Sequence, residues 1–284
     1  MKNNQRQMAF VTGIILGILF LCSIPGFCTQ INSTSAQGSG DCQLMWSYIQ
    51  AADALNANLS QMDQSLSEAC LALSRTGLEG SKASQILRDL TRTNPNIIDF
   101  ATISTNGTIL EIEPEEFHYV KGSNVGYQEQ FKKVTESKNP AGFAMIKTLE
   151  GFYALLVSDP VFDEKGQFIG EAGVLINSTK FFGSILIPRQ PEEKAEFWIM
   201  RAADGRVLYD MNSTYIGVAL SDPMFWQFPE LQELGKRMEQ ERTGYGTYEF
   251  FDRDHKKFVR KGVYWTTLGN NGDEIRLVLA QELE

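Results

Sequence analysis

Two histidines, His118 and His255, and four cysteines are the residues of this 284-residue chain best suited to holding a metal or sharing a proton with a nucleophile. His118 follows the acidic pair Glu115-Glu116 and reads as an exposed loop residue. His255 sits in the charged run DRDHKK and reads as a hairpin tip. The two fall in different parts of the chain, so a shared metal site is not expected. No HExxH, CxxC, GxSxG or phosphate-loop pattern occurs. The expectation is a protein that is not an enzyme and uses no cofactor and no metal.

Recognition of a small molecule is the chemistry that remains. Two strand-like segments, GFAMIKTL and FYALLVSDPVF, alternate in a way that puts Phe143, Met145 and Lys147 on one face, and Tyr153, Leu155 and Val157 on one face of the next. Aromatic and methionine walls with a few polar groups are what small-molecule pockets show. Lys147 leads the candidates, because an ammonium on an apolar face needs a partner. Tyr153 and Asp159 follow. The same pattern also fits plain core residues of a sheet packed on a helix, and a Lys147 that points to water carries no information.

The composition is that of a globular protein, 43% hydrophobic and 21% charged. Lys plus Arg number 26 against 35 Asp plus Glu, a formal charge of -9. A nucleic-acid binder needs a basic face to displace counterions from phosphate, so no nucleic-acid partner is expected.

Residues 1–28 read as a signal peptide or an N-terminal membrane anchor. Lys2 and Arg6 precede residues 8–28, which carry no charge and are about long enough to span a bilayer. The positive-inside rule then puts everything after Cys28 outside, either anchored at the cell membrane or secreted. The segment around Pro25 to Cys28 also faintly resembles a lipoprotein box. Residues 29–41, rich in Ser, Thr, Gly and Gln, read as a flexible spacer. No second apolar run of bilayer length follows, so no cytoplasmic output domain is expected on this chain.

Cys42 and Cys70 fall in what reads as one helix, where 28 residues at about 1.5 Å each separate them by roughly 40 Å. A bridge between them is geometrically excluded. Cys42 could pair with a partner chain, and Cys70 reads as a small packed residue. Five N-x-[ST] sequons begin at Asn32, Asn58, Asn106, Asn177 and Asn212. Glycosylation and the turn habit of Asn explain them equally well.

The positioning elements come from periodicity. Met45, Tyr48, Ala52, Leu55, Leu59, Met62, Leu66, Ala69 and Leu73 alternate spacings of three and four, a heptad seam on one long helix. Its exposed face should hold Gln50, Gln61, Gln64 and Glu68. The seam either pairs with a second copy of the chain, giving a homodimer, or lies on the domain that follows; the second is favoured. Gly77 and Gly80 break the helix, and Ser81 should cap a second one ending before Pro95.

From Asn96 the pattern becomes strand, Asn106-Gly107 turn, strand, helix, then three strands, the last two joined by Asp163-Glu164-Lys165-Gly166. The order recurs from EFWIMRA onward, with Asp204-Gly205 standing 98 residues after Asn106-Gly107 (204 against 106). This is an internal duplication of an α+β unit. The expected organisation is residues 42–95 for the two helices, 96–187 for a first module and 193–284 for a second. Each module should be a five-stranded antiparallel sheet with helices.

A long helix leading into two such units resembles a double Cache sensor domain, the extracytoplasmic relative of PAS, over about residues 42–283. The segment Gln130 to Val134, the stretch EGFYALLVSDPVFDEKGQFIGEAGVLI and, in the second half, DGRVLYD, GTYEF and VRKGVYWTTL carry the likeness. The second half is similar to the membrane-proximal modules of stand-alone Cache proteins of methanogenic archaea. The resemblance implies a small-molecule ligand in the membrane-distal first module, with Pro160 to Asp163 and Gly170 in turns, and a proximal second module that is usually empty. It also implies a separate membrane signalling or transport partner. A surface structural or adhesion protein on the same scaffold is the alternative.

In the amino-acid-binding branch, an Arg and an aromatic near the start of the module's helix grip the carboxylate. By that likeness Tyr127, Gln128 and Gln130 join the candidate site, with Gln128 and Gln130 where the gripping pair stands. Leu175 stands where the ammonium-binding Asp would. No Arg occurs from Thr93 to Pro188, so no bidentate carboxylate clamp is available there. An α-amino acid is disfavoured, and a small, uncharged or weakly anionic ligand is expected.

Overall fold

The computed structural model describes residues 37–149, 153–191, 194–252, 256–269 and 274–283. The apolar run at 8–28, the sequon at Asn32 and His255 lie outside these residues. Among the described residues, no helix is long and apolar enough to cross a membrane.

Helix α1, Gln37–Thr76, runs 40 residues, about 60 Å at 1.5 Å per residue. It begins inside the segment expected to be spacer, because a nucleated helix gains a hydrogen bond with each residue added to its end. Leu55, Leu59, Met62, Leu66, Ala69 and Leu73 are buried as the seam requires, while Gln50, Gln61, Gln64 and Glu68 are exposed. In the first turns the buried positions are Leu44, Tyr48 and Ala51; Met45 and Ala52 are only partly buried. There the expected seam holds at Tyr48 and stands one residue off the contact line at Met45 and Ala52.

The seam rests on the chain's own sheets, in one continuous core that includes Phe100, Leu155 and Val174 of the first module and Phe197, Ile199 and Leu277 of the second. The stripe that could have joined two copies is therefore covered from within. Gly77, at φ +83°, ends α1, its N–H donating to Leu73 O at 2.8 Å; the left-handed turn is accessible to glycine without a Cβ penalty.

Helix α2, Ser81–Thr93, follows. Its cap position is held by Gly80, not Ser81. The cap is supplied from the neighbouring strand: Glu111 accepts the Gly80 N–H at 3.0 Å and the Ser84 hydroxyl at 2.9 Å, and pairs with Lys121. A carboxylate from a strand thus does at the helix N-terminus what a capping side chain would.

The first module holds β1 (Ile97–Ser104), β2 (Ile109–Glu113), α3 (Glu129–Ser137), β3 (Ala141–Lys147), β4 (Tyr153–Phe162) and β5 (Phe168–Ile176). Helix α4, Ser178–Leu186, connects to the second module. That module holds β6 (Ala195–Arg201), β7 (Val207–Tyr209), α5 (Pro229–Gln240), β8 (Thr243–Asp252), β9 (Lys257–Leu268) and β10 (Ile275–Glu282). The sheets have the same order, β2-β1-β5-β4-β3 and β7-β6-β10-β9-β8, and their neighbouring strands pair antiparallel.

Pro160 to Phe162 and Gly170 lie in β4 and β5 rather than in turns. Gly170, at φ +143°, is a close-approach position: a Cβ there would stand 2.1 Å from Ile103 O. The turn itself is made by Asp163, whose Oδ1 accepts the Lys165 and Gln167 N–H groups.

Each sheet has two faces. One meets the α1 core. The other is roofed by loops and a short helix, residues 115–137 in the first module and 213–240 in the second, and each outer face holds a cavity.

Candidate functional site

In the first module the cavity lies on the outer face. Asp99 and Ala101 on β1, Ile146 on β3, Leu156 on β4 and Leu175 on β5 form its floor, and Val125 and Gln128 its roof. The register is consistent: Asp99 pairs Leu175, Ala101 pairs Gly173, and Leu156 pairs Leu175. The volume is about 60 Å³. Since one ordered water needs roughly 10–15 Å³ on this kind of measure, the space suits a group of few heavy atoms.

Polar groups are sparse and specific. Asp99 is 2% exposed. Thr148 Oγ1 is buried without a hydrogen-bond partner among the described residues. Two positions along β5 from Gly173, Glu171 is 1% exposed, its Oε2 is unpartnered, and burial pushes its carboxyl up to about 8. No Lys or Arg is among the described residues that line the cavity.

The sequence candidates divide between the two faces. Phe143 and Met145 pack into the α1 core on the opposite face from the cavity, as do Leu155 and Val157. Asp159 also faces α1. Burial pushes its carboxyl up to about 6, with Asp63 of the helix adding to the shift; the Cys70 thiol nearby is raised by its own burial first and by Asp159 second. Lys147 and Tyr153 are register partners at the end of the β3–β4 pair; their side chains lie outside the described residues. Tyr127 is 65% exposed and does not line the cavity. Gln130 is buried, but its Nε2 donates to Gly142 O at 2.7 Å, fixing α3 to β3. Gln128 lines the cavity, as does Leu175.

Alternation shows which residues share a face but not which face meets the long helix, and the helix takes the more continuously apolar one. Asp99 was the missed residue. An acid inside the strand IIDFATIS, on the same face as Ala101 and Ile103, was the signal for it.

His118 is not a free loop residue. It sits on the 3-10 turn Glu115–Val120, half-buried, with Nε2 3.4 Å from Glu113 Oε1, and Arg88 holds the same oxygen at 2.8 Å. Cys42 and Cys70 are free thiols on α1, Cys42 exposed and Cys70 packed against the core. Asn177 and Asn212 accept backbone N–H groups as caps, and Asn106 accepts the Thr108 N–H within its turn.

The larger cavity, about 520 Å³, is on the outer face of the second module. Trp198, Tyr215, Phe225, Tyr248 and Phe250 wall it, and Glu196, Asp210 and Lys261 gather at one end. Lys261 is ion-paired with Glu196. Asp210 accepts the Asn212 N–H at 2.7 Å. Burial pushes the Asp210 carboxyl up to about 7, Asn212 opposing the shift and Glu196 adding to it.

Comparison with known proteins agrees with this architecture. The extracellular domain of a chain described as a histidine kinase superposes with a TM-score of 0.67 at 15% identity, covering 88% of this chain and 97% of that one. This is a double Cache fold. The family model described as "HK/GC/Chemotaxis protein-like, sensor domain" matches residues 57–178. An extracellular ligand-binding receptor from Desulfohalobium retbaense DSM5692 is similar at 30% identity and a TM-score of 0.68 over 86% of this chain. The present chain spans 40% of that receptor chain's length. The ligand-binding domain of the amino-acid chemoreceptor PctB of Pseudomonas aeruginosa PAO1, solved with L-arginine, shares the double Cache fold with a TM-score of 0.62 at 13% identity, covering 87% of this chain and 96% of that domain. No curated protein matches the sequence significantly. The structural neighbours include extracellular ligand-binding domains and a periplasmic sensory domain.

Proposed function

We propose that this chain is the extracytoplasmic ligand-binding part of a sensor and acts in signal transduction through a separate membrane partner. A small ligand would occupy the first module's cavity. The carrying observation is Thr148, whose buried, unpartnered hydroxyl stands with Asp99 and Gln128 in an otherwise apolar cavity. A buried hydroxyl without a partner costs free energy that a hydrogen-bonding ligand would recover. The likeness to the sensor-domain family over residues 57–178 supports the role, since β1 to β5 fall within it.

The cavity favours a small uncharged molecule. Asp99 opposes an anion, and no cation among the described lining residues would hold one. The neighbours that bind amino acids leave this ligand open, because the first module carries no Arg for a carboxylate clamp.

A thermal-shift screen of small metabolites on the full chain tests the proposal. A ligand binding only the folded state stabilises it by about 2.7 kcal/mol at a hundredfold excess over Kd. Thr148→Val and Gln128→Ala should each weaken a hit, and Asp210→Asn should not. A hit indifferent to both first-module changes would remove the assignment, and a broad screen without hits would favour a ligand-free structural role.

A further inference from the structure

The second module, expected to bind nothing, holds the larger cavity. At about 520 Å³ it lies within the roughly 300–1,000 Å³ of small-molecule sites. Its walls are an aromatic cluster: Phe250 has Tyr215 at 6.1 Å and Tyr248 at 6.2 Å, and Tyr215 has Phe225 at 5.6 Å, between ring centroids. Tyr248 is buried, which with Glu196 and Asp210 nearby holds its phenol well above the ordinary value, so the hydroxyl keeps its proton.

The charges at the polar end do not cancel. Glu196 and Lys261 pair with each other. Asp210 has a backbone N–H as a hydrogen-bond donor, and it feels Glu196 as a like charge and, less strongly, Lys261 as an opposite one. The end therefore holds two carboxyl groups against one ammonium, and a cation bound beside Asp210 would favour its ionised form. Aromatic faces beside an undercompensated carboxylate are suited to a cation, which the rings attract through their quadrupoles. An anion would meet only a cation already paired.

We propose that this cavity is a second ligand site, taking a small organic ammonium ion with an apolar body, its charge at Asp210 and its body against Tyr215, Tyr248 and Phe250. Such a site is independent of the first-module cavity, which lies on a different sheet. Exposed Ser213 lines the site.

Three probes with one body and different charge test it: phenethylamine, phenylalanine and phenylacetate, titrated calorimetrically into the full chain. Phenethylamine should bind, and the other two at least tenfold more weakly. Asp210→Asn should lower phenethylamine affinity at least tenfold with unchanged circular dichroism. Ser213→Trp, a change on the exposed rim, should do the same by obstruction. Thr148→Val should leave the affinity unaltered. Equal or tighter binding of phenylacetate or phenylalanine, amine binding that survives both Asp210→Asn and Ser213→Trp, or no binding of either phenethylamine or tetramethylammonium would each overturn the proposal.

Discussion

The Tyr48 hydroxyl on α1 donates to the Leu277 carbonyl on β10 at 3.0 Å, so the long helix is fastened to the second module as well as packed on the first. Tyr48 also stacks on Phe197 of β6, centroids 6.5 Å apart. Removing the hydroxyl in Tyr48→Phe should cost about 1 kcal/mol. Leu55→Ala, deep in the seam, should cost about 2–5 kcal/mol. Urea midpoints with unchanged slopes measure both. A Leu55→Ala loss under about 1 kcal/mol would mean that the seam is not packed as described.

Glu111 joins strand β2 to the start of α2. Its own burial raises its pKa, but Lys121, the Gly80 N–H and the Ser84 hydroxyl outweigh that and hold the carboxyl below its usual range. The unfolded chain then binds more protons than the folded one as the group titrates, so this contribution is present above the unfolded pKa. It is lost as pH falls through the folded one. The stability gap between the native chain and Glu111→Gln should therefore narrow on acidification. A gap that widened as pH fell would contradict the capping role.

Glu171 has the opposite sign. Burial pushes its carboxyl up to about 8 from 4.5, so between those values the folded state holds a proton that the unfolded state has released. Stability should fall as pH rises through that window. At about 1.4 kcal/mol per unit of displacement, the effect is on the order of 3 kcal/mol at pH 7. Glu171→Gln should flatten the profile and be more stable than the native chain at pH 8. Equal pH profiles for the two proteins would show that the carboxyl is not isolated as described.

Much of the fold was legible because alternation and turn chemistry agree. The strands IIDFATIS and KFVRKGVYWTTL fall in the places that the strand and turn order assigns them, and the repeat of Asn106-Gly107 by Asp204-Gly205 marks equivalent hairpins. Helix α4 was not legible: STKFFGSIL is nine residues with Phe181 and Phe182 adjacent, too short and too evenly apolar to show a helical period. The site was legible only in part. Phe143, Met145 and Asp159 have the composition of a pocket wall, but their face is the one α1 covers. That choice depends on contacts far apart in sequence.

Asp159 and Asp63 make the helix-facing side of β4 sensitive to charge. Burial, with Asp63 as the neighbouring like charge, pushes Asp159 up to about 6 from 3.8; the Cys70 thiol, raised by its own burial and then by Asp159, stays protonated beside them. The folded state thus retains a proton on Asp159 between those values, and stability should decline as pH climbs through them. Above pH 6 the ionised carboxylate costs on the order of 3 kcal/mol. Asp159→Asn removes that cost and keeps the size of the side chain. It should raise the urea midpoint at pH 7.5 and change it little at pH 3.5. Because the pair bridges α1 and the sheet, hydrogen exchange in α1 around Asp63 should slow in the variant at pH 7.5. Unchanged exchange together with an unchanged midpoint would show that the two carboxylates do not strain this contact.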